Sequence, residues 1–286
     1  MHDLNLKDSY NKGAGIMNPM QKLILLFAAA LVCGVMTACG PDLLELDPQE
    51  PSDLTVAQLV AKMNHATDPK GNYRDAKTYV MKQDLSSVKP GKKEYYATEI
   101  QFKAPDKMRT TTYRDGKAIA SVIFNGDQGW NVDLLKNRSE KLKPGLPLSL
   151  VRIFTQMATP GVNITKIFKH VTIDISYKDG VKTYRLICDP GVDGIAPYII
   201  YVDGRTFLTK KLETIMYAVD GKEYLYSANT MSYVWIDDIR IARTSVVYSL
   251  NQTDISTLKE FKLNLDIPDS EFVPPVPFNH VVTDKK

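Results

Sequence analysis

Asp-Gly or Asn-Gly dipeptides at 115–116, 125–126, 179–180, 203–204 and 220–221 punctuate the 286-residue chain. Both pairs tolerate the positive φ angles of the type I′ turn, whose twist matches that of the strands it joins, so each marks a hairpin. The intervening segments agree with this. Residues 78–85, 93–104, 107–113, 117–124 and 129–133, and then 171–177, 181–188, 198–202, 205–219, 222–235, 239–250 and 261–267, are rich in Val, Ile, Thr, Tyr and Phe, and the pattern repeats every two residues. The prediction is a long antiparallel meander. Strands do not alternate with helices, which excludes a doubly wound nucleotide-binding fold and its Gly-rich phosphate loops.

Two segments break the period. In 53–63, Thr55 and Gln58 form a capping-box pattern and Val56, Leu59, Val60 and Met63 share one face, so a helix opens the domain. In mid-meander, Pro147 and Pro160 bracket a second helix with Leu150, Ile153, Phe154 and Met157 on one face. It either plugs the core or lids a ligand pocket. Several strands are apolar on both faces: in 117–124, Ala118, Ala120, Val122 and Phe124 alternate with Ile119, Ser121 and Ile123. A sheet of roughly ten or more strands curls rather than staying flat. The expected fold class is therefore mainly β (α+β): an antiparallel unclosed β-barrel, or half-barrel, with an N-terminal helix and a mid-chain lid helix. Its inner apolar face surrounds either side chains or a ligand cavity.

The N-terminus carries an export signal. Residues 23–35 (LILLFAAALVCGV) follow Lys22 and are too short to span a bilayer, whereas a basic n-region, apolar h-region and small-residue c-region define a secretory signal. The c-region Met36-Thr37-Ala38-Cys39-Gly40 resembles a bacterial lipobox, in which the cysteine is acylated and becomes the new N-terminus. Cys39 is thus the expected lipidation site. The expected organisation is an upstream extension over 1–16, a lipoprotein signal peptide over 17–38, an acidic Pro-rich tether over 39–52 and one domain over 53–286. The start codon is Met1, Met17 or Met20.

Little in the chain points to catalysis. His2, His65, His170 and His280 are isolated and show no metal-ligand spacing, so no metal and no cofactor are expected. Cys188 sits inside a strand-like run and reads as a buried structural thiol. Asp237-Asp238 precedes a strand and reads as a solvated turn rather than a carboxylate pair, and no Gly-x-Ser-x-Gly elbow occurs. No enzyme activity is expected. The net charge of +3 is scattered along the chain, which argues against a nucleic-acid partner.

Two longer motifs then resemble a known family. Ala104-Pro-Asp-Lys-Met-Arg-Thr-Thr-Thr-Tyr-Arg-Asp-Gly116, followed by 121–133 (SVIFNGDQGWNVD), resembles the signature of the outer-membrane lipoprotein-sorting proteins (LolA/LolB-like). Residues 261–275 (FKLNLDIPDSEFVPP) resemble that family's closing strand and its Phe-x-Pro-Pro exit. The resemblance implies an unclosed barrel with helices over its mouth, enclosing an apolar cavity that receives acyl chains of lipids or lipoproteins. The family's soluble carrier has no anchor, so Cys39 favours the receptor-like or standalone lipid-binding branch. Gly40 after the cysteine implies an outer-membrane, periplasm-facing location where the Asp-retention rule applies. The chain departs from the carriers in its extra strands between 181 and 250.

Candidate lining residues are Phe102, Phe124 and Trp130 on the sheet and Phe154 and Met157 on the lid, against the alternative that they are core. Arg109, at the family's arginine position, either polarises the cavity rim or pairs with an acid. Two functions remain: an envelope lipoprotein that binds acyl chains in lipoprotein sorting or lipid transport, with a periplasmic carrier or envelope protein as partner, or a non-catalytic stress sensor or scaffold with a filled interior that binds protein partners.

Overall fold

The structure, a computed structural model, describes residues 50–275 except 162, 179, 219 and 220. Cys39, the upstream extension, the signal peptide and most of the tether lie outside the described residues, as does the segment after Pro275.

The elements in chain order are β1 (Glu50–Pro51), α1 (Val56–Thr67), β2 (Thr78–Lys89), β3 (Lys92–Lys103), β4 (Lys107–Arg114), β5 (Lys117–Asn125), β6 (Gln128–Asp133) and β7 (Arg138–Lys141). Next come α2 (Leu146–Met157), α3 (Ile164–Ile167), β8 (His170–Lys178), β9 (Val181–Asp189), β10 (Tyr198–Asp203), β11 (Thr209–Tyr217), β12 (Glu223–Ile236), β13 (Ile239–Ser249) and β14 (Gln252–Leu263). All fourteen strands form one antiparallel sheet in the order β1-β8-β9-β10-β11-β12-β13-β14-β2-β3-β4-β5-β6-β7. Two meanders, β2–β7 and β8–β14, are joined by the long β14–β2 pair, and the sheet remains unclosed between β7 and β1. The connection from β7 to β8 carries α2 and α3. The expected half-barrel with an N-terminal helix and a mid-chain helix is thus the fold that the chain forms.

Local chemistry accounts for the elements. Thr55 Oγ1 accepts from the Gln58 amide at 3.2 Å while the Thr55 amide donates to Gln58 Oε1 at 2.8 Å, the reciprocal cap anticipated for α1. Asp115 and Gly116, at φ 51° and 74°, make the β4–β5 turn with two left-handed residues. Asp237 and Asp238, at φ 48° and 64°, do the same between β12 and β13 without glycine, and so form the turn expected of them. Asp203-Gly204 is different. It opens a longer loop in which the Asp203 carboxylate accepts from the Arg205 and Thr206 amides, at 3.1 and 2.7 Å.

The last strand departs from the expectation of 261–267. It starts at Gln252 and ends at Leu263, and the chain beyond it is a strap rather than a strand. Residues 264–275 cross the outer face of the sheet, where a 3-10 turn (Asp269–Phe272) seats Phe272 with Ile267 on Val80, Ile123 and Val132. This second, smaller core explains why 117–124 is apolar on both faces: Val122 and Phe124 face the interior, and Ile123 faces the strap.

Candidate ligand-binding interior

The inner face of the sheet is built from register rows that run across neighbouring strands. At the end where α2 packs, Leu263, Tyr79, Phe102, Met108 and Phe124 stand side by side on β14, β2, β3, β4 and β5. Tyr79 stacks on Phe102 with centroids 5.1 Å apart. The rows carry more polar side chains toward the other end. The next is Phe261, Met81, Ile100, Thr110 and Val122; then come Leu258, Gln83, Thr98, Thr112 and Ala120. Beyond these stand Ser256, Leu85 and Tyr96, and finally Asp254, Ser87 and Glu94.

Helix α2 covers the apolar part. Gly129 allows this approach, because a Cβ there would stand 2.7 Å from Leu142 Cδ1 and 3.3 Å from Leu148 Cδ1. The buried face of α2 is Val151, Ile153, Phe154 and Thr155, a rotation from the expected Leu150–Met157 stripe. Leu150 and Met157 are half-buried, with Met157 still packed on the interior cluster. Phe154 meets Tyr198 edge-on at 6.1 Å. The carbonyl of Ala158, just past the helix end, accepts from the hydroxyls of Tyr73 at 3.0 Å and Tyr79 at 3.2 Å. Burial raises both phenol pKa values, which keeps these hydroxyls protonated as donors.

Of the residues singled out from sequence, Phe102, Phe124 and Phe154 share the interior with Met157, the first three at 0–1 % exposure. Arg109 and Trp130 do not line it. Arg109 pairs in register with Ile123, and Ile123 with Trp130, which places all three on the outer face under the strap. The alternation of the strand decides this: Met108 and Phe124 point inward, so their neighbours point out. Arg109 therefore pairs with an acid, donating from Nη1 to Glu271 Oε2 at 2.7 Å and to the Glu271 carbonyl at 3.3 Å. Asn125 Nδ2 donates to the Phe272 carbonyl at 3.3 Å, and Lys103 and Lys107 clasp Asp269 at 2.8 and 2.9 Å. Those two ammonium groups hold the Asp269 carboxyl down at about 2. Sequence reasoning misses the strap. Its signal is there, in the outward Ile123 and the isolated apolar pair Ile267 and Phe272.

The remaining reactive groups are turned to structure. Cys188 is fully buried in the interior cluster, where burial pushes its thiol up to about 12. Asp238 pairs with Lys70 at 2.7 Å, and Asn72 Nδ2 donates to the Asp237 carbonyl at 3.0 Å, so this turn latches the segment after α1. Among the described residues, no group of three or more His, Cys, Asp or Glu could hold a metal, and no helix is long and apolar enough to cross a membrane. An open hollow of about 680 Å³ lies where the outward Asp84, Tyr95, Tyr113 and Ile255 meet the inward Leu85 and Tyr96.

No family model and no curated protein sequence matches the chain. Solved structures do. A LolA superfamily protein from Nitrosomonas europaea superposes with a TM-score of 0.55 at 13 % identity, covering 77 % of this chain and 98 % of that one. A domain described as an outer membrane lipoprotein-sorting protein, from Vibrio parahaemolyticus, gives 0.53 at 9 %, covering 75 % and 94 %. A DUF1329 family protein from Desulfovibrio piger gives 0.51 at 11 %, covering 75 % and 97 %. The chain thus shares the fold of these structures, here an unclosed antiparallel half-barrel with a helical cover.

Proposed function

We propose that this protein is a lipoprotein of the bacterial cell envelope, anchored through Cys39 at the outer membrane and facing the periplasm. It binds the acyl chains of lipids or lipoproteins between the half-barrel and α2, and acts in lipoprotein sorting or lipid transport rather than as an enzyme. The observation that carries this reading is the row Leu263, Tyr79, Phe102, Met108 and Phe124, an apolar wall on which α2 packs. Each methylene moved from water to such a wall contributes about 0.8 kcal/mol, so a single acyl chain competes in magnitude with the buried α2 side chains Val151, Ile153 and Phe154, which contribute about 1.5–3 kcal/mol each. Residues 39–52 serve as the tether and the domain extends from 53 onward.

A second reading draws support from the packing itself. Phe102, Phe124, Phe154 and Tyr198 fill the interior at 0–1 % exposure, as in a scaffold or sensor that binds protein partners on its surface. Native mass spectrometry of the membrane-extracted protein, together with uptake of a fluorescent fatty acid, separates the two. Bound lipid and saturable uptake are expected; consistent absence of both sinks the acyl-binding reading. The anchor is tested independently, since Cys39→Ala is expected to abolish palmitate labelling and release the protein from membranes.

A further inference from the structure

Strand direction gathers the turns at two ends of the half-barrel. At one end lie α1, the loop at 204–208 and the β12–β13 turn, with Tyr177 and Val181 at the facing ends of β8 and β9. Contacts join these parts. The Gly204 amide donates to the Lys182 carbonyl at 2.9 Å, Lys62 Nζ stands 4.7 Å from the centre of the Phe207 ring, and Asp238 pairs with Lys70. This end exposes Trp235, Val181 and Tyr177 at 50, 47 and 45 %. Arg240 lies over the Trp235 ring at 4.3 Å, and Arg205 is exposed in the loop. The acids here are mostly engaged: Asp53 by Lys182 and Tyr184, Asp238 by Lys70, and Asp203 by the amides of its own loop. Cations paired with aromatic rings therefore dominate its surface.

Exposed apolar side chains alone do not single out this end, because Leu250 and Tyr217 at the opposite end are 52 and 47 % exposed. The direction of the tether does. Strand β1 pairs antiparallel with β8, Glu50 opposite Ile175 and Pro51 opposite Asp174, so the backbone enters Glu50 from the side of Tyr177. Cys39 lies 11 residues before Glu50, a reach of at most about 40 Å. Setting the opposite end on a bilayer would require the chain to reverse within that span and run back past His170. We propose that the end carrying α1, the 204–208 loop and the 237–238 turn lies against the lipid surface that holds Cys39. Trp235, Tyr177 and Val181 sit at the level of the headgroups, where amphipathic rings are favoured, and Arg205, Arg240 and Lys62 face anionic lipid. The opposite end, toward which the lumen becomes more polar, then faces away from the membrane. This rests on the anchored reading above.

The test uses the full-length protein, extracted from membranes and reconstituted into vesicles of three parts phosphatidylcholine to one part phosphatidylglycerol, with the phosphatidylcholine acyl chains either plain or brominated. Flotation reports anchoring and Trp emission reports depth. One of the two tryptophans, Trp235, is expected to lie within reach of the bromines, so brominated vesicles lower the emission by about a third. Trp235→Phe is expected to abolish the difference between the two vesicle types. Arg205→Glu with Arg240→Glu, which alters surface side chains only, is expected to reduce it at least about two-fold. Flotation without quenching overturns this inference and leaves the anchor standing. Quenching that survives in Trp235→Phe assigns the bilayer to the face of Trp130, and quenching unchanged in the charge variant removes the role of the cations; either result overturns it as well. Failure of the wild type to float overturns the anchored reading and this inference with it.

Discussion

The strap over the outer face gives the most quantitative prediction. Phe272 is fully buried, yet it belongs to a chain segment with no strand pairing of its own. Truncation in Phe272→Ala removes about 2–3 kcal/mol of transfer free energy and leaves a cavity against Val80, Ile123 and Val132 worth about 1 kcal/mol more. A loss of about 3–4 kcal/mol is a large part of the ~5–15 kcal/mol that typically holds a domain together. Urea titration read by Trp fluorescence checks it, because Trp130 packs against the same cluster and its emission shifts to the red when the strap lifts. Limited proteolysis gives a second readout: cleavage between 264 and 275 in the variant under conditions that leave the wild type intact. A loss below about 1 kcal/mol, with Trp130 emission and cleavage unaltered, refutes the idea that the strap is held by Phe272.

Acid is expected to loosen the same strap. The Asp269 carboxyl is held at about 2 by Lys103 and Lys107, against an ordinary value of 3.8, so its contribution is complete above 3.8 and is lost as pH falls toward 2; strap cleavage scored across that window checks it. Asp254 has the opposite sign. Burial outweighs its hydrogen bonds from Gln252 and Ser87 and raises its pKa, so stability falls as pH rises from about 4 through the folded value, and Asp254→Asn removes that decline in melting curves. Cys188, buried and with its thiol pushed up to about 12, is expected to resist iodoacetamide in the native protein and to react after unfolding, as counted by intact mass.

Much of the architecture is legible in local chemistry. The capping box at Thr55 and Gln58, the turn at Asp115-Gly116 and the helix bracketed by prolines act within a few residues of themselves, so the sequence displays them directly. Strand periodicity is equally legible, since alternation reports that a residue faces one side or the other. It does not report which side. Aromatic and family pattern alone therefore put Trp130 in the cavity and leave Arg109 between the cavity rim and an acidic partner, whereas Ile123 and the strap claim both. The face of α2 likewise reads one step off, with Thr155 rather than Leu150 turned inward.

By itself, then, the sequence determined that the chain is a hairpin meander with one capped helix before it and one helix inside it, because turns, caps and periods are encoded by neighbours. The tertiary structure decided which side of each strand is the lumen, that residues 264–275 return over the outer face, and that the inner wall runs from aromatic to hydroxyl-bearing. These depend on the register between strands far apart in the chain, such as β14 beside β2, whose ordering is invisible until the sheet has curled and its faces have been assigned.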